Sequence, residues 1–157
     1  MGYKSIAVPG TVAGLGLAHG KYGRLKWKDC LEPARKLAAN GFPASQRMEL
    51  ILKLQVPVMK KYPESARIFL HGAESPLKQD ELVKQPDLAA TIKRMQQKGW
   101  REFYTGETAR RLVADLQAHG GLITLDDMKN YTAEEREPLR VTYRGHPVLT
   151  MPPSSSG

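Results

Sequence analysis

Apolar residues recur at helical spacing through most of this chain and at two-residue spacing only near its C-terminal end. Thr11 to Ala18 reads as a small-residue helix that begins after Pro9-Gly10 and stops by Gly20 to Gly23. Its glycines weaken it, so close packing of Gly14 or Gly16 against another backbone is expected as compensation. Trp27 to Asn40 places Cys30, Leu31, Ala34, Leu37 and Ala38 on one face and ends at Asn40-Gly41. Pro33 inside it predicts a kink or two abutting helices. Ser45 to Tyr62 is amphipathic through Met48, Ile51, Leu52, Leu54 and Met59, and Pro57 disturbs it.

The second half is patterned more cleanly. Leu88, Ile92 and Met95 form a helical stripe that ends before Gly99. Thr105 is placed to cap a helix whose buried stripe is Ala109, Leu112, Val113 and Leu116, closed by Gly120-Gly121. Thr124 and Asp127 have the spacing of a capping box, opening a brief helix that ends near Tyr131. Then the period changes. Leu139, Val141 and Tyr143 alternate with polar residues, and Val148 to Met151 follow a tight Arg144-Gly145-His146 turn, which predicts a β-hairpin. The fold class expected is mainly α, with strands only in that short C-terminal hairpin.

Composition narrows the class. With 41% hydrophobic and 25% charged residues, the 157-residue chain reads as one compact soluble domain with a single core. Apolar runs such as Leu50-Ile51-Leu52 are too short to span a bilayer, and Ser5 to Val8 breaks at Pro9-Gly10 before a signal peptide could form. The net charge of +8 invites a nucleic-acid reading. Basic residues are nevertheless spread along the chain, interleaved with acids and without aromatic neighbours for base stacking, so neither nucleic acid nor membrane is expected as a partner.

Candidate chemistry is sparse. His19, His71, His119 and His146 lie far apart, each near a glycine, in turn or helix-end settings rather than at metal-ligand spacing. Cys30 is the only cysteine, and Trp27 and Leu31 beside it predict a packed thiol rather than a reactive one. Asp126-Asp127 is explained by capping, and Glu134 to Glu137 by an exposed turn. Ser154 to Ser156 lack the setting of a nucleophile elbow, and Gly14 with Gly16 completes no phosphate loop. No catalytic, cofactor-binding or metal-ligating residue is nominated, and no cofactor is expected.

The terminal Met151-Pro152-Pro153-Ser154-Ser155-Ser156-Gly157 is a turn that should deliver the backbone into another element, so the chain is expected to be an excised piece of a larger protein. The order of its blocks is specific. Val8-Pro9-Gly10-Thr11-Val12-Ala13-Gly14-Leu15 comes first, then Leu31-Glu32-Pro33-Ala34, Leu37 to Phe42, Phe103-Tyr104-Thr105-Gly106, Gly120 to Asp127, Tyr143-Arg144-Gly145 and the terminal block. From about Ser5 onward this resembles the γ-glutamyltranspeptidase family, with Ser154 where that family's PPPSSGG has its third proline.

The resemblance implies a parent enzyme of the N-terminal-nucleophile hydrolase superfamily, with an αββα fold and a precursor that cuts itself into a large and a small subunit. The new N-terminal threonine of the small subunit would attack the γ-glutamyl amide of glutathione or a related compound, its own amine acting as base. It would pass the acyl group to an amino acid, a peptide or water. Residues 1–157 would then be one fragment of the large subunit. Its helical part would cover about residues 5–136, and its strands, about 139–151, would enter the central sheet. The resemblance places the catalytic threonine beyond Gly157 and the arginine for the substrate carboxylate before Ser5, so Thr11, Thr124 and Thr132 receive no such role. It also implies the small subunit as partner, self-association of the isolated piece, and a periplasmic or secreted parent. Two alternatives stand beside it: a cephalosporin acylase-like enzyme of the same superfamily, and a free-standing basic helical binding module.

Overall fold

A computed structural model of the chain describes residues 2–72 and 74–153; the serine run at 154–156 lies outside them. After a 3-10 turn at Tyr3–Ser5 come α1 (Thr11–Tyr22), α2 (Trp27–Asn40), β1 (Phe42–Pro43), α3 (Gln46–Met59) and α4 (Pro63–Phe69). There follow β2 (Leu70–His71), β3 (Ser75–Pro76), β4 (Leu82–Val83), α5 (Pro86–Lys98) and α6 (Glu102–Thr105). The chain continues through α7 (Glu107–Ala118) and α8 (Leu125–Asn130) into β5 (Leu139–Tyr143) and β6 (His146–Thr150). The mainly helical class with a C-terminal hairpin is borne out. Strands are not confined to that end, however: β1 pairs with β4 and β2 with β3, each antiparallel over two residues.

Helix boundaries follow local chemistry. The side chain of Ser45 accepts the N–H of Met48 and starts α3, which runs two residues past Pro57 and stops at Met59, short of the expected Tyr62. Pro63 and Pro86 open α4 and α5, where a fixed φ helps and a missing N–H costs nothing. Helix α7 ends in a Schellman motif: Gly121 N–H bonds to Leu116 C=O at 2.6 Å, Gly120 N–H to Gln117 C=O at 3.1 Å, and Gly120 has φ +77°. The capping box of α8 is complete, with Thr124 and Asp127 each accepting the other's backbone N–H.

Proline 33 does not divide α2, which is one helix from Trp27 to Asn40. The bond lost there is offset by packing on α5, α2's main neighbour. Trp27 Nε1–H donates to Met95 C=O at 3.1 Å, and Gln96 Nε2–H donates to Lys28 C=O and to Glu32.

The buried residues fall into three groups, and Val12 and Phe103 pack against both of the first two. Ala13, Tyr104, Ala109, Val113, Leu116, Ile123 and Met128 join α1 to α6, α7 and α8. Ala38, Ala89, Ile92 and Met95 hold α2 to α5, and Ala44, Leu52, Leu77 and Val83 lie beneath α3. Each group mixes alanines with larger side chains, such as Tyr104 and Met128 in the first, Met95 in the second and Leu52 in the third. The expected stripe of α7 is buried or half-buried throughout, whereas in α5 Leu88 is exposed and Ala89 is buried in its place.

Candidate functional site

Two buried polar arrangements stand out, and both serve helix ends. Tyr104, on α6, is 2% exposed. Its hydroxyl donates to Pro9 C=O at 2.6 Å and accepts Ala13 N–H at 2.9 Å. That N–H is one of those a helix start leaves without an internal partner, so a tyrosine far along the chain caps α1 from outside. Burial pushes the Tyr104 phenol above its usual pKa, against the Ala13 N–H, and keeps it a hydrogen-bond donor at neutral pH. Tyr131 stacks on Tyr104 at 5.8 Å, and its ring fills the space that a side chain on Gly10 would need.

The second arrangement caps α7. Gly106 precedes that helix with no side chain to offer, and the carboxylate of Glu102 takes over. It accepts Thr108 N–H at 3.1 Å and Thr108 Oγ1–H at 2.7 Å. Arg94 stands 3.7 Å away and donates to the Thr108 and Thr91 hydroxyls. A Cβ at residue 106 would lie 2.7 Å from a Glu102 carboxylate oxygen, so glycine leaves room for the cap. Thr105, expected as the capping residue, instead donates its hydroxyl to Arg101 C=O. Sequence reasoning missed Glu102 because a carboxylate reaching forward over a glycine has no fixed spacing signature.

The hydrogen-bonding groups of Tyr104 and Glu102 are committed to backbone or to neighbouring hydroxyls. The groove beside them is lined by Asp87, Thr91, Arg94, Phe103, Thr108 and Arg111, and Arg111 is paired with Glu107 at 2.5 Å. The four histidines are not brought together: His19 bonds to Leu25 C=O, His71 to Glu81, and His119 to Asp115 C=O, while His146 opens β6. Thr124 is engaged in the α8 cap, and Thr11 and Thr132 are exposed on different segments.

What the molecule does present is unpartnered apolar surface. Leu50, Ile51, Leu54 and Val58 cover the outer side of α3, with Leu54 71% exposed. On α2, Cys30 and Leu37 are also exposed, which corrects the expectation of a packed thiol. Leu31 and Ala38 on that helix turn toward α5, and the rest of the apolar face has nothing over it among the described residues. Every residue of β5, and all of β6 except Thr150, is exposed. Close packing of α1's glycines is met only at Gly16, and by the Trp100 indole rather than by backbone; Gly14 has open space.

Comparison with known proteins supplies the context for this surface. The sequence profile of the family described as gamma-glutamyltranspeptidase matches residues 1–157. The glutathione hydrolase proenzyme of Pseudomonas aeruginosa is 39% identical over 157 residues, which is all of this chain and 27% of that protein. The crystal structure of Helicobacter pylori gamma-glutamyltranspeptidase superposes with a TM-score of 0.92 at 36% identity, covering 99% of this chain and 44% of that one. The cephalosporin acylase of Bacillus halodurans superposes at 0.85 with 26% identity, covering 94% and 28%. The chain thus spans about a quarter of the length of the curated relatives it matches.

Proposed function

The chain belongs to the γ-glutamyltranspeptidase family, and from that premise we propose that it forms part of a precursor enzyme that transfers the γ-glutamyl group of glutathione and related amides to amino acids, peptides or water. The observation that carries this reading is the match along all 157 residues to a profile and a structure of one family. Relatives named as proenzymes support a precursor that is processed before it acts.

In this reading the reactive threonine belongs to a segment outside residues 1–157, and these residues serve as scaffold. A hydroxyl is a weak nucleophile, and a free α-amine beside it accepts its proton. That amine exists only after the precursor is cut. The helices described above would hold the wall of the site and pack against the small subunit through the apolar faces of α2 and α3. Periplasmic or secreted residence is part of the same proposal. Among the described residues no helix is long and apolar enough to cross a membrane.

The test compares the 157-residue polypeptide with its full-length parent on γ-glutamyl-p-nitroanilide. The expected outcome is no turnover by the former and turnover by the latter once cleaved. Reproducible turnover by the short polypeptide, with a nucleophile titratable inside it, would overturn the scaffold reading. The likeness to the cephalosporin acylase favours a second reading, an acylase with another acyl group. The higher identity to the γ-glutamyl enzymes ranks it second, and parallel assays with a cephalosporin side-chain amide separate the two.

A further inference from the structure

Four basic residues and no acidic one occupy positions 21–28, where α1 turns into α2: Lys21, Arg24, Lys26 and Lys28, all exposed. Set among them are two open apolar side chains, Tyr22 at 78% exposure and Leu25 at 67%. Lys98, the last residue of α5, joins the group, because the start of α2 packs on the end of α5. There Trp27 donates to Met95 C=O, and Gln96 donates to Lys28 C=O. Lys21 is paired with Glu135, whereas Arg24, Lys26, Lys28 and Lys98 form no ion pair among the described residues.

The backbone of this turn is fixed while those side chains are free. Gly23 N–H donates to His19 C=O at 2.8 Å, and the His19 ring donates its Nε2–H to Leu25 C=O at 2.9 Å. The same ring meets the Trp27 indole edge to face at 5.3 Å. A Cβ at residue 23 would lie 2.5 Å from the His19 carbonyl oxygen, so glycine permits the close turn. Binding at this end of the molecule therefore has little backbone to order.

The side chains define what fits there. Apolar groups this open mark a convex tip, for which a folded partner would have to present a matching hollow, whereas a lipid surface yields around it. Tyrosine rings settle at the headgroup level of a bilayer, and an aliphatic chain reaches the acyl boundary below it. Each lysine or arginine close to an anionic leaflet strengthens attachment by about fivefold. A nucleic-acid backbone would satisfy the cations and leave Leu25 in water. The expectation that no membrane is a partner weighed charges spread along the chain, and the fold gathers one group of them around an apolar tip.

We propose that the α1–α2 turn docks on an anionic phospholipid bilayer, with Tyr22 and Leu25 entering the headgroup layer and Arg24, Lys26, Lys28 and Lys98 meeting lipid phosphates. This stands on one end of the molecule and does not depend on the γ-glutamyl reading.

The test is co-sedimentation of the 157-residue chain with vesicles of mixed phosphatidylglycerol and phosphatidylcholine, and with pure phosphatidylcholine as control. The expected result is binding to the mixed vesicles that weakens with added salt, and none to the neutral ones. Arg24→Glu combined with Lys26→Glu should weaken binding at least about tenfold. Leu25→Ser, which leaves the charge unchanged, should weaken it about threefold or more. Arg47→Glu combined with Lys84→Glu alters net charge equally at the opposite end of the α2–α5 pair, where Lys84 lies beside Gly41, and should have a much smaller effect. Absence of binding by the unsubstituted chain, or equal binding to both kinds of vesicle, would overturn the proposal. So would equal losses in the two charge-reversed variants, an unchanged Leu25→Ser, or displacement from the vesicles by a short DNA duplex at equal phosphate concentration.

Discussion

The hydroxyl of Tyr104 receives the backbone N–H of Ala13 at 2.9 Å, across 91 residues of sequence. Because the same oxygen donates to Pro9, one atom holds both the segment entering α1 and the first turn of that helix. Tyr104→Phe keeps the ring stacking and removes only this atom. Leaving a buried N–H and C=O without partners costs about 1–3 kcal/mol. Urea denaturation should show a loss in that range, and a change within error would mean that water replaces the hydroxyl.

Two glycines of α1 should respond oppositely to the same substitution. Gly14→Ala meets open space and gains helix propensity, so it should stabilise by up to about 1 kcal/mol. Gly16→Ala would place a Cβ 2.6 Å from the Trp100 indole. Overpacking of that kind costs about 1–3 kcal/mol, which exceeds the propensity gain. Thermal melts of the two variants should move in opposite directions, and a shared direction would contradict the packing described for Trp100.

The Glu102 carboxylate has a side chain only 1% exposed, with Thr108 and Arg94 around it. Glu102→Ala leaves a helix start and a guanidinium without their partner, a loss of about 3 kcal/mol. A double-mutant cycle with Thr108→Val should give a coupling above about 0.5 kcal/mol. Additive effects would show that the two residues act separately.

Acid should loosen the α2–α5 contact through Glu32. The Arg35 guanidinium grips its carboxylate at 2.6 and 2.7 Å, Gln96 adds a third bond, and together they hold its pKa down to about 2 from an ordinary 4.5. A depressed folded-state pKa contributes stability that is fully present above the unfolded value and fades as pH falls through the folded one. The melting temperature should therefore decline between pH 4.5 and about 2, and less steeply in Glu32→Gln. Identical slopes for the two proteins would remove Glu32 from the account.

Signals contained within a few residues were readable in advance. The Thr124–Asp127 box, the Gly120–Gly121 stop and the Arg144-Gly145 loop each depend on neighbours close in sequence, and each formed where expected. Helices α4 and α6 and the two-residue bridges were not anticipated, since elements so short carry no periodicity. The cap from Tyr104 was equally hidden, because a partner 91 residues away leaves no local trace, and that from Glu102 because a carboxylate six residues before the N–H it accepts matches no capping pattern. Cys30 and Leu37 show a different limit: an apolar face states that burial is favourable, not which surface provides it.

The lone sulfhydryl on the outer side of α2 turns into a practical handle. A maleimide dye attached at Cys30 would need no background substitutions, since the chain has no second thiol to compete. Its labelling rate, followed as further polypeptide is supplied, would report when that side of the helix becomes shielded, and would do so without any assay of chemistry.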